Sequence, residues 1–296
     1  MDLTNTIINY RRFLKRRNFS SHTVKNNINR LKHFIIWLDV ELENAGYQHI
    51  QRYIEALMQK RLAPVTINCH LASIRAFYNY LYDEEQLSII NPVKKCCGVR
   101  VPHPLPRYLK EEEIKKLFAA IKGPRDCAMF KLMLRCGLRV EEVANLTLDA
   151  LDLAAHKILI HNGKGKKDRM VYVSNDAQAV LTRYLKLRPS NRCRHVFLVE
   201  KGTFKGKALS VRGIQKRIEY YATKAKVKVS CHHLRHTMAT QMLNADARLA
   251  TIQDLLGHSL VATTQRYCKV SNLKVKRDYY RAMEKIVSHY LLEKST

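Results

Sequence analysis

Acidic residues are scarce in this chain of 296 residues: 25 Asp and Glu stand against 53 Lys and Arg, a formal charge of +28. So lopsided a balance points to a polyanionic partner. Long apolar runs are also missing. A bilayer span needs about 20 nearly uncharged residues, whereas stretches such as Phe34 to Leu38 and Val196 to Val199 are a handful, so no membrane span is expected. The opening MDLTNTIINYRRFLKRR has neither an uninterrupted apolar core nor a small-residue cleavage site, so it does not read as a secretory signal and a cytoplasmic protein is expected. The eight cysteines form no C-x-x-C pair, and most lie among apolar neighbours as reduced core thiols do, so no disulfide is expected. There is no G-x-x-x-x-G-K-[ST] loop and no cluster of acidic metal ligands, and neither ATP nor a metal is expected as a cofactor.

What is present is the apolar share of an ordinary globular protein, 46%, in a length suited to two domains. The first hundred residues read as helices. After Ser20 and Ser21, apolar residues at Val24, Ile28, Leu31, Ile35 and Leu38 keep a spacing of four and three, one face of a helix. Two further helices are expected over 50–59 and 65–82, the second with Ile67, Leu71, Ile74, Tyr78 and Leu81 on one face, and Asn91-Pro92 ends the run. Residues 93–107 mix proline, glycine and basic residues with no period and read as a linker. Beyond it come LKEEEIKKLFAAI and a helix from Asp126 to Cys136 stopped by Gly137, then a hairpin of KILIH and RMVYV around NGKGKKD, after which the chain is expected to return to helix. No internal repeat is apparent.

Four segments concentrate Arg, His, Lys and Tyr beside helix ends: CGLRVEEVANL with Arg139, NGKGKKDR with Lys164, CHHLRH with His232 and Arg235, and LLGHSLVATTQRY with His258 and Tyr267. Singly, each has a plain structural explanation: an ion-paired surface arginine, a turn lysine, a capping histidine, a half-buried tyrosine. Their order and spacing do not. Arg, then Lys, then H-x-x-R, then L-G-H, then Tyr nine residues later resembles the signature of the tyrosine recombinase (phage integrase) family, with Glu142 matching an acidic position in its first Arg box. SSHTVKNNINRLKHFIIWL and PVTINCHLASIRAFYNYLYDEEQLSIINP resemble its core-binding domain, and the short Xer-like and transposon- or phage-borne enzymes are the most similar branches.

The resemblance implies a mainly α fold with a small β-sheet (α+β). A helical, SAM-like core-binding domain would span 1–95, a linker 96–107 and a catalytic domain with a C-terminal helix 108–296, together a C-shaped DNA clamp. It implies site-specific recombination on double-stranded DNA with inverted half-sites, as a homo-oligomer (a tetramer on synapsed DNA) or with a related recombinase. The residue types suit that chemistry. Phosphoryl transfer to a tyrosine builds negative charge that two planar guanidiniums, Arg139 and Arg235, meet as two-pronged donors. A tyrosine hydroxyl with an ordinary pKa of ~10 costs about 4 kcal/mol to ionise at neutral pH. Tyr267 as nucleophile therefore needs a base, His232, while His258 bonds a nonbridging oxygen and Lys164 protonates the leaving 5′-oxygen.

His232 and His236 stand at i and i+4, but the glutamate of H-E-x-x-H is missing, so CHHLRH is not read as a zinc site. His236 is expected to be a structural partner and His233 to face elsewhere. Base readout is expected from the helix over 67–82 and from the stretch after Ser210. In the tail, Tyr279, Met283, Ile286 and Tyr290 form an apolar stripe, which in this family commonly belongs to a helix passed to a neighbouring subunit. Two rival functions remain: relaxation of a single duplex, as by a type IB topoisomerase, and noncatalytic DNA binding.

Overall fold

The structure is a computed structural model, and it describes residues 2–102, 107–161, 168–190, 192–257, 277, 279, 280 and 283. The chain divides into two compact units, Met1–His103 and Pro104–Thr296. As expected, the described residues are mostly helical with one small antiparallel sheet. No helix among them is long and apolar enough to cross a membrane.

The first unit consists of α1 (Leu3–Arg16), α2 (Ser21–Trp37), α3 (Tyr47–Gln59) and α4 (Pro64–Asp83). Ser20 caps α2, its hydroxyl accepting the Thr23 amide at 3.1 Å, and Pro64 opens α4, where a missing amide proton costs nothing. All five stripe residues of α4 are buried. In α2 the stripe is joined by Phe34, fully buried against Tyr53 at 5.1 Å, and Trp37 lies 5.0 Å from the same ring. Tyr53 in turn shares a 2.9 Å hydrogen bond with the buried His70.

Residues 93–99 have the composition of a linker yet pack onto this unit. Val93 and Cys97 are buried, and Lys95–Cys97 forms a 3-10 turn. The Asn68 amide takes both the N–H and the carbonyl of Val99 at 2.8 Å, and the Arg75 guanidinium takes the carbonyls of Val93 and Lys94. Side chains of α4 supply the hydrogen bonds that a helix or strand would otherwise give this stretch, so it needs no period of its own.

The second unit contains α5 (Glu111–Ala120), α6 (Pro124–Arg135), α7 (Val140–Ala144), β1 (Leu151–Asp152), β2 (Lys157–Ile160), β3 (Arg169–Tyr172), α8 (Asn175–Leu187), α9 (Val211–Ala225), α10 (Cys231–Asn244) and α11 (Leu249–Leu256). The sheet order is β1-β2-β3, with Ile158 opposite Val171 and Ile160 opposite Arg169. The expected hairpin thus gains a third strand, too short to show a period. The chain after β3 does not simply return to helix. Between α8 and α9 it is irregular, tied by single bridges between Thr147 and His195 and between Leu198 and Ala208, and by Arg188 donating to the carbonyls of Cys193, His195 and Val196.

A buried carboxylate helps to join α6 to α9: Asp126 accepts from Arg125, Arg217 and Tyr221. The segment entering the unit is fastened to α10, where the Thr237 hydroxyl accepts the Leu109 amide at 2.8 Å. Cys136 and Cys231 are buried thiols, pushed up by burial to about 12 and about 11, whereas Cys96 is exposed.

Candidate active site

Gly137 ends α6 in the left-handed region, φ +66°, where a Cβ would stand 2.9 Å from the Leu256 side chain. A glycine here both turns the chain and lets α11 close on it. Two residues later Arg139 caps α7 with extended backbone. Its amide donates to Glu142 Oε2 and its Nη1 to Glu142 Oε1, both at 2.7 Å, while Nη2 reaches the Gly257 carbonyl at 3.1 Å. One carboxylate three residues on thus fixes both the start of α7 and the direction of the Arg139 side chain.

Arg235 comes from the middle of α10 and is 6% exposed. It donates to the carbonyls of Gly137 and Leu256 and lies 3.9 Å from Glu142 Oε2. His232 is exposed on the first turn of α10, three residues before Arg235 and therefore on a neighbouring position of the same face. His233 is half-buried, and its Nδ1 has no hydrogen-bond partner among the described residues. Burial first, and then the positive Arg107, hold its pKa below the ordinary value.

Arg169, at the start of β3, carries no signature that composition or spacing picks out, yet it completes the cluster. Its Nη1 and Nη2 donate to Glu142 Oε1 and Oε2, each at 2.7 Å, and its Nε donates to the Leu255 carbonyl at 2.9 Å. The last three carbonyls of α11 and its cap, Leu255, Leu256 and Gly257, are therefore taken in succession by Arg169, Arg235 and Arg139. These are orphan acceptors at the negative end of a helix, which explains why three cations collect there.

Burial raises the pKa of Glu142, but hydrogen bonds from Arg169 and Arg139 outweigh it and hold the carboxyl at about 2. One negative charge faces three guanidiniums, so the cluster keeps a formal surplus of two positive charges suited to an anion.

Of the six residues expected to act, the structure brings Arg139 and Arg235 together and sets His232 on the helix that carries Arg235. Lys164, His258 and Tyr267 lie outside the described residues. The hairpin bearing Lys164 is described up to His161 and from Asp168, whose side chains meet at 3.2 Å, and the chain reaches His258 directly from Gly257.

Comparison with known proteins shows the family of the chain and the kinship of its fold. The phage integrase family model matches residues 107–274, and that of the phage integrase N-terminal SAM-like domain matches 5–85. Tyrosine recombinase XerC of Staphylococcus haemolyticus (strain JCSC1435) is 31% identical over 277 residues, 90% of this chain and 92% of that protein; XerC of Staphylococcus carnosus (strain TM300) is 31% identical over 275, 89% and 92%. The crystal structure of XerA recombinase aligns at 25% identity and TM-score 0.55 over 94% of this chain and 98% of that one. The Tn1549 transposon integrase bound to transposon right end DNA shares the fold at TM-score 0.77 and 16% identity, covering 94% and 99%.

Proposed function

The chain belongs to the phage integrase family, and from that premise we propose that Arg139, Lys164, His232, Arg235, His258 and Tyr267 form its active site. It is a tyrosine-type site-specific recombinase acting on DNA. The observation that carries the site assignment is the meeting of Arg139 and Arg235, from the start of α7 and the middle of α10, at Glu142 and the end of α11.

The Tyr267 oxygen attacks the phosphorus, the bond to the 5′-oxygen breaks and a 3′-phosphotyrosine bond forms. His232 takes the tyrosine proton, and Lys164 gives one to the leaving 5′-oxygen. Arg139 and Arg235 meet the charge that builds on the nonbridging oxygens, with His258 beside them; loss of one such donor costs about 3 kcal/mol, or a hundredfold and more in rate. The energy of the phosphodiester stays in the phosphotyrosine bond, so rejoining needs neither ATP nor a metal.

Residues 1–95 serve as the core-binding domain, 96–107 as the connection and 108–296 as the catalytic domain. Exposed basic residues in both units, Arg11, Arg12, Lys15 and Arg16 on α1 and Arg212, Lys216 and Lys224 on α9, suit phosphate contacts. The enzyme works in the cytoplasm on inverted half-sites and recombines as a tetramer, of itself or with a related recombinase.

The test selects bound duplexes from a random pool and traps covalent complexes on nicked versions of the winners. The wild-type chain should give an SDS-stable adduct, and Tyr267→Phe should bind as well and give none. A persistent adduct would move the nucleophile elsewhere, Tyr279 and Tyr280 being next in line. Relaxation of one duplex without exchange between two would assign a topoisomerase instead.

A further inference from the structure

We propose that Arg169 is a positioning residue for strand cleavage, holding Glu142 and the end of α11 in the one arrangement that aims Arg139 and Arg235 at a phosphate. The inference rests on the recombinase reading and adds a residue to it.

Every nitrogen of the Arg169 guanidinium is committed to the protein: Nη1 and Nη2 to the two oxygens of Glu142, Nε to the Leu255 carbonyl. Its side chain is 10% exposed. Three of its five N–H donors thus hold a carboxylate on one element and a carbonyl on another, the placement of a group that fixes its neighbours. Glu142 is the shared anchor. It orients Arg139 through two bonds and faces Arg235 at 3.9 Å, and these three arginines are the charged groups that meet it among the described residues.

Two partners are held at once, and they belong to different elements. Glu142 lies on α7, while Leu255 is one residue before the last of α11, from which the chain passes through Gly257 to His258. Arg169 therefore ties the arginine side of the site to the segment that delivers the histidine. A lysine could not do this, because a single ammonium lacks the parallel prongs that span a carboxylate while a third donor reaches elsewhere. Without Arg169, burial would favour the protonated form of Glu142, whose hold on Arg139 would weaken.

The experiment uses the full chain on a nicked suicide duplex carrying the half-sites selected from the random pool. Arg169→Lys keeps the charge and loses the fork; Arg169→Met keeps much of the volume and loses both. Each should slow single-turnover cleavage by about 10–100-fold, the scale of a misplacement of the catalytic groups by up to about 1 Å, with affinity for one half-site changed less than about threefold. In Arg169→Met the acid side of the rate profile should also move to higher pH. That shift should vanish when Glu142→Gln is added, which a general loss of packing would not produce.

Wild-type rates and an unshifted profile in a folded Arg169→Met would overturn the inference. So would a parallel loss of half-site binding and cleavage, or failure of both variants to fold, since Arg169 would then hold the fold rather than aim the site. The recombinase reading fails separately, if the wild-type chain forms no covalent adduct on any selected duplex.

Discussion

Gly257 and Arg169 touch so closely that a Cβ on the glycine would stand 2.9 Å from Cδ of the arginine. Gly257 also has φ +59°, a region where a side chain costs about 1–2 kcal/mol. Gly257→Ala should therefore combine backbone strain with displacement of Arg169. Gly202 is the control: its φ is +80° with nothing within 4 Å of the added carbon. Both alanine variants should lose thermal stability in calorimetry, but only Gly257→Ala should lose cleavage, by about tenfold or more, through misplacement of the arginines.

Glu142 makes the second unit acid-sensitive in a defined window. Its folded pKa of about 2 lies below the ordinary 4.5, so its contribution is fully present above pH 4.5 and is lost as pH falls through 2. The gap corresponds to about 3 kcal/mol. Asp176, held low by Ser174, Arg135 and Lys131 against the effect of burial, adds to the same trend. Hydrogen exchange of the α7 and α10 amides should show Glu142→Gln less protected than wild type at neutral pH, with a smaller further loss between pH 5 and 2. An identical acid response in the two proteins would contradict this.

If Lys164 protonates the leaving 5′-oxygen, Lys164→Ala should be slow on ordinary DNA and recover on a substrate whose 5′-bridging oxygen is sulfur, a leaving group that needs no proton. Equal defects on both substrates would give Lys164 a phosphate-binding role. Lys166 and Lys167 are resolved by the same comparison.

The tail is fastened where it is described: Arg277 donates to the Asn244 carbonyl and pairs with Asp246, both at 2.8 Å, while Tyr279 and Tyr280 are more than half exposed. Such exposed pairs contribute little stability. Truncation after Val275 should spare folding, as read by circular dichroism, and much of the binding to a single half-site, while weakening cooperative binding to the full site and abolishing recombination. An insoluble or unfolded product would make the tail part of its own unit's core.

How far the sequence alone could be read varied with how local the cause was. The α4 stripe was legible because helix period and burial coincide there: Ile67, Leu71, Ile74, Tyr78 and Leu81 are all buried. The α10 helix has no such stripe. Leu234, Arg235, Thr237, Met238, Ala239 and Thr240 are buried around nearly its whole circumference, and only the H-x-x-R spacing marked it. Residues 93–99 show no period because their order is supplied by Asn68 and Arg75, distant in sequence. Arg139 and Glu142 stand one turn apart and could be paired by inspection, whereas Arg169 reaches Glu142 only through the closing of β3 against α11, a contact with no local period.

The packing of Trp37 against Tyr53 has an optical consequence. It is the only tryptophan in the chain, and it belongs to the first unit. Its emission is therefore a private reporter of that unit, blind to whatever happens around Glu142. Denaturation followed by tryptophan emission and by far-ultraviolet dichroism would trace one curve if the two units melt together and two if each melts alone. The natural sequence thus carries a label that separates the two without any dye being attached.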